Sequence, residues 1–348
     1  MIRLLVVDDS ALMRKLLGGI FAAEPDVEVA FARNGREALE EHARFAPDVI
    51  TLDVTMPELD GLACLDAIMR ARPCPVVMLS SLTAEGAEVS LDALARGAVD
   101  VIAKPAGAVS LDIDRLAPLI VQKVRAAARA RPRLLRRRIA AEARPSPPAP
   151  APAAPAGAPP GLVLVGTSTG GPPALEALLG GLPAGFPWPV VVAQHMPARF
   201  TASLARRLDG LCALTVQEVA RPTPLLAGQV YVGQGDADVI VARRPAGLVA
   251  APAPAHPDHP WHPSVDRLVA SALDHLPPAR LLGVLMTGMG RDGAAAMAAL
   301  RQRGGRTIAE SEDTAVVWGM PGELVRLGGA DRILPLDAIA AELVDMVP

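Results

Sequence analysis

Five times within the first 130 residues a short apolar run is followed by an amphipathic segment: 4–7 with 11–22, 27–30 with 35–45, 49–52 with 61–70, 76–79 with 86–96, and 99–103 with 111–130. A run that is apolar at successive positions has no face to offer water, so each such strand must be covered on both sides. Strands of that kind joined by amphipathic helices form a parallel sheet with helices on both faces. The rhythm returns at 162–166, with a helix from Pro172, a strand at 190–193 and a helix near 198–208. Over 213–250 it gives way to short strands, some of them predicted to pair antiparallel. It resumes with a strand at 281–286, a helix over 292–303 and a strand at 306–309. The fold class is therefore α/β in both parts, the second being doubly wound and mostly parallel.

Between the two parts, residues 144–160 read RPSPPAPAPAAPAGAPP, where proline removes backbone donors and alanine is too small to build a core. The predicted division is a first domain over 1–125, an arginine-rich helix end and extended linker over 126–160, and a second domain over 161–348. Aromatic residues make up only 3% of a chain that is 51% hydrophobic, so both cores must be built from Ala, Val, Leu and Ile. A formal charge of −3 provides no global field to recruit nucleic acid or an anionic membrane. The run Arg125, Arg129, Arg131, Arg133, Arg136, Arg137 and Arg138 reads as a solvated helix end, with the grip of an acidic partner as the alternative.

Cys64, Cys74 and Cys212 are an odd set without metal-ligand spacing, which points to a reducing compartment. The N-terminus reaches Asp8 and Asp9 after too few apolar residues for an export signal. Prolines and glycines interrupt residues 145–198 too often for a membrane helix, although Glu176 is their only charge. The expected location is the cytoplasm, without membrane insertion.

In the first domain Asp8 and Asp9 follow the first strand and Asp53 ends the third, so three carboxylates converge at the carboxyl edge of one sheet. Such a cluster is costly without a cation. All-oxygen ligands that leave room for waters suit Mg2+, which would also neutralise the approach of a phosphoryl group to a carboxylate nucleophile. Ser80 and Lys104, at the ends of the fourth and fifth strands, would supply a hydroxyl and an ammonium to phosphoryl oxygens. The lysine is informative because the chain has only three, the remaining 31 of its 34 basic residues being arginine.

VVDDS at 6–10, DVTMPELDG at 53–61, MLSS at 78–81 and AKP at 103–105 resemble the receiver domains of two-component response regulators. The resemblance implies a flavodoxin-like (βα)5 receiver in which Asp53 accepts a phosphoryl group from a histidine kinase. Asp8, Asp9 and Asp53 would hold the magnesium, and Ser80 and Lys104 would contact the phosphoryl group. Val101 stands where receivers usually carry an aromatic switch residue.

In the second domain GTSTGG at 166–171 lies between a strand and a helix whose first turn accepts Pro172 and Pro173. Three readings are open: a tight turn presenting Ser168 as an exposed nucleophile, a glycine-rich phosphate cradle, or merely a tight connection. A dinucleotide site would want an acid at the end of the next strand, but that strand ends in Gln194-His195. A histidine there supplies the base that a serine hydroxyl needs. Asp292, in the loop after the strand at 281–286, would orient the imidazole. The chain order Ser, His, Asp differs from that of α/β-hydrolases. His256, His259 and His262 recur in HPDHPWHP, a surface loop without an evident ligand-rich partner segment. His42 and His275 read as solvated helix residues.

GTSTGG, AQHMP at 193–197, PSVDRL at 263–268, LMTGMGRDGA at 285–294 and AESEDTAVVWGMPG at 309–322 together resemble the chemotaxis protein-glutamate methylesterases. The resemblance implies Ser168 as nucleophile, His195 as base and Asp292 as orienting acid, with Met289 and Thr169 at the oxyanion site and its rim. It also implies hydrolysis of γ-glutamyl methyl esters on chemoreceptor signalling helices, with deamidation of selected glutamines and no cofactor for the esterase. The expected protein is a monomer whose receiver occludes the esterase site until Asp53 is phosphorylated. A stoichiometric regulator with a vestigial hydrolase is the alternative, which the intact Ser168, His195 and Asp292 set disfavours. Where the family commonly has a proline-glycine turn and a histidine, this chain has Gly233-Gln234-Gly235-Asp236-Ala237-Asp238.

Overall fold

The computed structural model describes residues 1–81, 83–104, 109–130 and 161–347. The chain divides into two compact units, Met1–Arg144 and Pro145–Pro348. The sequence assigned to the linker and the arginines from Arg131 to Arg138 lie outside the described residues.

In the first unit β1 (Ile2–Val7), β2 (Val27–Ala32), β3 (Val49–Asp53), β4 (Val76–Ser80) and β5 (Asp100–Ala103) form one parallel sheet in the order β2-β1-β3-β4-β5. The intervening helices are α1 (Ala11–Ala22), α2 (Gly35–Phe45), α3 (Gly61–Ala71), α4 (Ala84–Ala95) and α5 (Val109–Ala128). Ser10, Asn34, Asp60 and Thr83 cap α1 to α4, their side chains accepting otherwise orphaned backbone N–H groups. Strand order reverses between β1 and β3, which opens a crevice at their carboxyl ends, where Asp8 and Asp53 stand.

Two sequence expectations change here. Helix α5 runs to Ala128, into the segment expected as an arginine-rich helix end, and there Arg125, read as solvated, turns back to pair with Glu24 at 2.6 Å and Asp26 at 2.5 Å. That member of the basic run is thus engaged within its own unit. His42 is buried rather than solvated, because α2 turns Ala38 and His42, four residues apart, toward the core. His275 is half-buried just beyond a helix end.

The second unit is built on seven parallel strands, β6 (Leu162–Thr167), β7 (Val190–Gln194), β8 (Thr215–Val219), β10 (Gln229–Gly233), β13 (Leu281–Leu285), β14 (Arg306–Glu310) and β15 (Arg332–Leu334). Their order is β15-β14-β13-β6-β7-β10-β8. A small antiparallel sheet joins β9 (Thr223–Pro224), β11 (Asp238–Arg244) and β12 (Gly247–Ala253). The middle zone therefore splits: β8 and β10 extend the parallel sheet, and only the rest pairs antiparallel.

Helices α6 (Gly171–Gly180), α7 (Ala198–Leu211), α8 (Val265–Leu273), α9 (Ala294–Gln302), α10 (Met320–Arg326) and α11 (Leu336–Met346) complete the unit. Helix α9 begins two residues after Asp292, because Gly293, at φ 83°, takes the left-handed cap position and frees the aspartate to face away from the helix. Among the described residues no helix is long and apolar enough to cross a membrane.

Candidate functional site

At the carboxyl edge of the first sheet, Lys104 Nζ lies 2.8 Å from both Asp8 Oδ2 and Asp53 Oδ2. Asp8 and Asp53 are buried and Asp9 is exposed, and the three offer carboxylate oxygens within 4.8 Å of one another. Burial pushes the Asp53 carboxyl above the usual carboxylate range; Lys104 pulls against this and Asp8 adds repulsion. Burial likewise opposes the Lys104 charge, but hydrogen bonds to Asp53 and Asp8 hold its pKa above the ordinary value. An all-oxygen set with one exposed member fits a hard cation that keeps part of its water. Ser80 is buried nearby, but its hydroxyl donates to the Gly86 carbonyl at 3.0 Å rather than to Asp53. Val101 is buried in β5.

The second constellation forms where three adjacent strands end. Thr167 of β6 pairs with Gln194 of β7, so the next residues, Ser168 and His195, leave neighbouring strands at one level. The Gln194 amide fixes both turns by donating to the carbonyls of Ser168 and His195, each at 3.0 Å. On the other flank of β6, the loop after β13 returns across the serine. Thr287 accepts from the Ser168 N–H at 3.0 Å and donates its hydroxyl to the Thr169 carbonyl at 2.8 Å. The Thr287 N–H donates to the buried Glu310 at 2.8 Å.

Gly288 must be glycine, since a Cβ there would stand 2.8 Å from that of Ser168 and 2.4 Å from Met320 Sδ. This close cover explains why Ser168 is only 6% exposed, where the sequence suggested an exposed turn. Gly170, at φ 78°, makes the sharp entry into α6.

Asp292 Oδ2 lies 2.8 Å from His195 Nε2. The carboxylate also accepts from Val265 N at 2.7 Å, Ser264 Oγ at 3.0 Å and Asp266 N at 3.1 Å. Burial alone would raise its pKa, but the His195 contact and the backbone donors more than offset that and hold it below the ordinary value. An ionised carboxylate only accepts, so Nε2 carries the proton and Nδ1 the lone pair. Nδ1 is buried and has no hydrogen-bond partner. In the usual triad the acid holds Nδ1, whereas here Asp292 meets Nε2. The Gly288 N–H is committed to the Val317 carbonyl, while that of Met289 has no acceptor among the described residues. Thr169 is buried beside Ser168.

Several parts of this site were not legible in the sequence. Trp261 stacks on His195, and nothing in a proline-rich loop announces that contact. The acidic neighbours of His259 were also missed: His259, Asp266 and Asp292 bring ligand atoms within 4.8 Å of one another. With two donors on each Asp292 oxygen, that cluster is a hydrogen-bonded support for the carboxylate, His259 Nδ1 meeting Ser264 Oγ at 3.3 Å. Burial and the nearby Asp292 charge raise the Asp266 pKa, while Asp266 accepts from Ala296 N at the start of α9. The PSVDRL motif held the clue, since Ser264 caps α8 and so directs the first amides of that helix at Asp292.

Residues 163–343 match the family model of the CheB methylesterase, and residues 4–113 match that of the response regulator receiver domain. Protein-glutamate methylesterase/protein-glutamine glutaminase 2 of Rhodopseudomonas palustris (strain BisB18) is 58% identical over 358 residues, which cover 99% of this chain and 98% of that protein. Protein-glutamate methylesterase/protein-glutamine glutaminase 3 of Rhodospirillum rubrum is 54% identical, over 99% of this chain and 95% of that protein. The crystal structure of the Thermotoga maritima CheB methylesterase catalytic domain is 35% identical, with a TM-score of 0.52, and covers 54% of this chain and 98% of that chain. The chain, with a receiver unit ahead of a sheet whose adjoining strand ends gather Ser168, His195 and Asp292, belongs to the CheB methylesterase family.

Proposed function

We propose that the chain is a phosphorylation-activated protein-glutamate methylesterase that also deamidates selected glutamines, acting on the cytoplasmic helices of chemoreceptors. The observation that carries this reading is the Asp292–His195 contact of 2.8 Å, which leaves a buried, unpartnered Nδ1 on the strand end next to that of Ser168. His195 takes the Ser168 proton as Oγ attacks the glutamyl carbonyl. The oxyanion is met by backbone N–H groups, Met289 among them, beside Thr169. His195 returns the proton to the leaving group, releasing methanol from an ester or ammonia from an amide. Water activated by the same imidazole then cleaves the acyl-enzyme, leaving glutamate and regenerated serine.

In the receiver, Asp53 attacks the phosphorus of a kinase phosphohistidine and the imidazole departs. Asp8, Asp9 and Asp53 would hold Mg2+, which when bound neutralises charge on the phosphoryl oxygens. Lys104 meets one phosphoryl oxygen, and Ser80 must exchange its bond to Gly86 to meet another. The phosphorylated receiver releases the esterase from an inhibited state. In this reading the protein is a cytoplasmic monomer. The test is methanol release from methyl-labelled receptor membranes: Ser168→Ala is expected to lose it by several orders of magnitude with an unchanged melting temperature. A variant as active as the parent would overturn the serine mechanism.

A further inference from the structure

Trp261 meets the site through a contact that the reaction above leaves unused. Its indole lies parallel to the His195 imidazole, with centroids 5.7 Å apart and planes 14° off parallel. The same ring reaches the opposite flank of the serine, its Nε1 standing 3.7 Å from the position a Cβ on Gly290 would take. It therefore spans from the histidine to the loop that carries Met289.

The loop bearing Trp261 has no helix or strand to hold it. It is tied instead to Asp238, whose fully buried carboxylate accepts from His262 Nδ1 at 2.9 Å, Ser264 N at 2.7 Å, His256 N at 3.3 Å and the Arg267 guanidinium. These contacts, with burial working against them, hold the Asp238 carboxyl below the ordinary carboxylate range. Four donors on one buried carboxylate fix the loop on both sides of the tryptophan.

Resting on the serine-esterase reading, we propose that Trp261 is a positioning residue for His195. It holds the imidazole plane so that Nδ1 faces Ser168, and its indole face favours the imidazolium that exists while the serine proton is on the histidine. An aromatic face attracts a cation within about 6 Å of its centroid, whereas a neutral imidazole gains only the stacking contact. The difference acts in the transition state and so belongs to kcat rather than to substrate affinity.

The test uses the full chain with Trp261→Leu and Trp261→Phe. Two rates are measured: steady-state methanol release, and covalent labelling of Ser168 by a fluorophosphonate probe. Trp261→Leu is expected to lower kcat about tenfold with KM within about twofold, and to slow labelling by a similar factor. Trp261→Phe, which restores an aromatic face, is expected to stay within about threefold of the parent. A Trp261→Met variant, whose unbranched side chain adapts to an irregular gap, gives the same comparison if the leucine protein melts early. An unchanged kcat in both aliphatic variants, a loss confined to KM, or a phenylalanine variant as impaired as leucine would each overturn the proposal. Failure of the parent to be labelled, or labelling of Ser168→Ala, would instead overturn the serine reading on which it rests.

Discussion

Replacing Asp292 by asparagine tests the orientation of the histidine without emptying the space behind it. The carboxylate accepts four hydrogen bonds, two on each oxygen: His195 Nε2 and Val265 N on Oδ2, Ser264 Oγ and Asp266 N on Oδ1. An amide keeps one oxygen and turns the other position into a donor, so one pair of donors must face an NH2 group. If that pair includes Nε2, the imidazole moves its proton to Nδ1 and loses the lone pair that the proposed mechanism directs at Ser168. If it is the other pair, a buried backbone N–H is stranded and the charge that stabilises the imidazolium is gone.

Exchanging the orienting acid of a serine triad for its amide costs about 10⁴ in kcat, or about 5 kcal/mol. The stability cost is one stranded buried donor, about 1–3 kcal/mol, which a folded protein survives. The same contacts set the acid behaviour of the parent: a carboxyl held below its ordinary value stabilises the fold above that value, and the contribution is lost as pH falls through the lowered pKa. The assay is methanol release at pH 7, with circular dichroism to verify folding. Turnover within tenfold of the parent in a folded Asp292→Asn protein would refute the assignment of the proton to Nε2.

Three further outcomes are expected. Gly288→Ala places a methyl group 2.8 Å from the Ser168 Cβ and 2.4 Å from Met320 Sδ, so it should cost about 1–3 kcal/mol in stability and depress turnover; an unchanged melting temperature would contradict the packing argument. Burial, aided by the Arg72 charge, pulls the His42 pKa below its ordinary 6.5, so below about that pH the unfolded chain binds a proton that the folded one refuses. Denaturation midpoints of the parent should fall between pH 7.5 and 5.5, and His42→Leu should remove part of that fall; an identical pH dependence in both proteins would contradict it. Chelating divalent cations with EDTA should abolish acyl-phosphate formation at Asp53 while leaving basal methanol release intact, and phosphorylation that persists would argue against Asp8, Asp9 and Asp53 as cation ligands.

The strands and their polar ends could be read from sequence because a parallel strand buried on both faces is apolar throughout and stops at a chemically distinct residue. Asp8, Asp53, Lys104, Ser168 and His195 all follow that rule. Asp292 was visible through its motif, but its four donors were not, since three of them come from the start of α8, some 27 residues earlier in sequence. Strand β15 has three residues and exposed side chains at Arg332 and Ile333, too little pattern to announce itself. His42 was misread because its polarity outweighed its position four residues after the buried Ala38, a spacing that places both on the inward face of α2. Trp261 had no periodic signal, and its place over His195 depends on Asp238, a residue distant in sequence that organises the loop.

The measurement closest to the central claim is methanol release by the full chain from methyl-labelled receptor membranes, with and without a small-molecule phosphodonor and Mg2+. It is run on the parent and on Asp53→Asn. A tenfold activation corresponds to about 1.4 kcal/mol of differential stabilisation, within reach of a few charge-assisted hydrogen bonds formed by Lys104 and Ser80. The account predicts that the parent is stimulated by phosphodonor while Asp53→Asn keeps only the basal rate. Equal stimulation of both proteins, or none in a parent shown to carry the acyl phosphate, would contradict it.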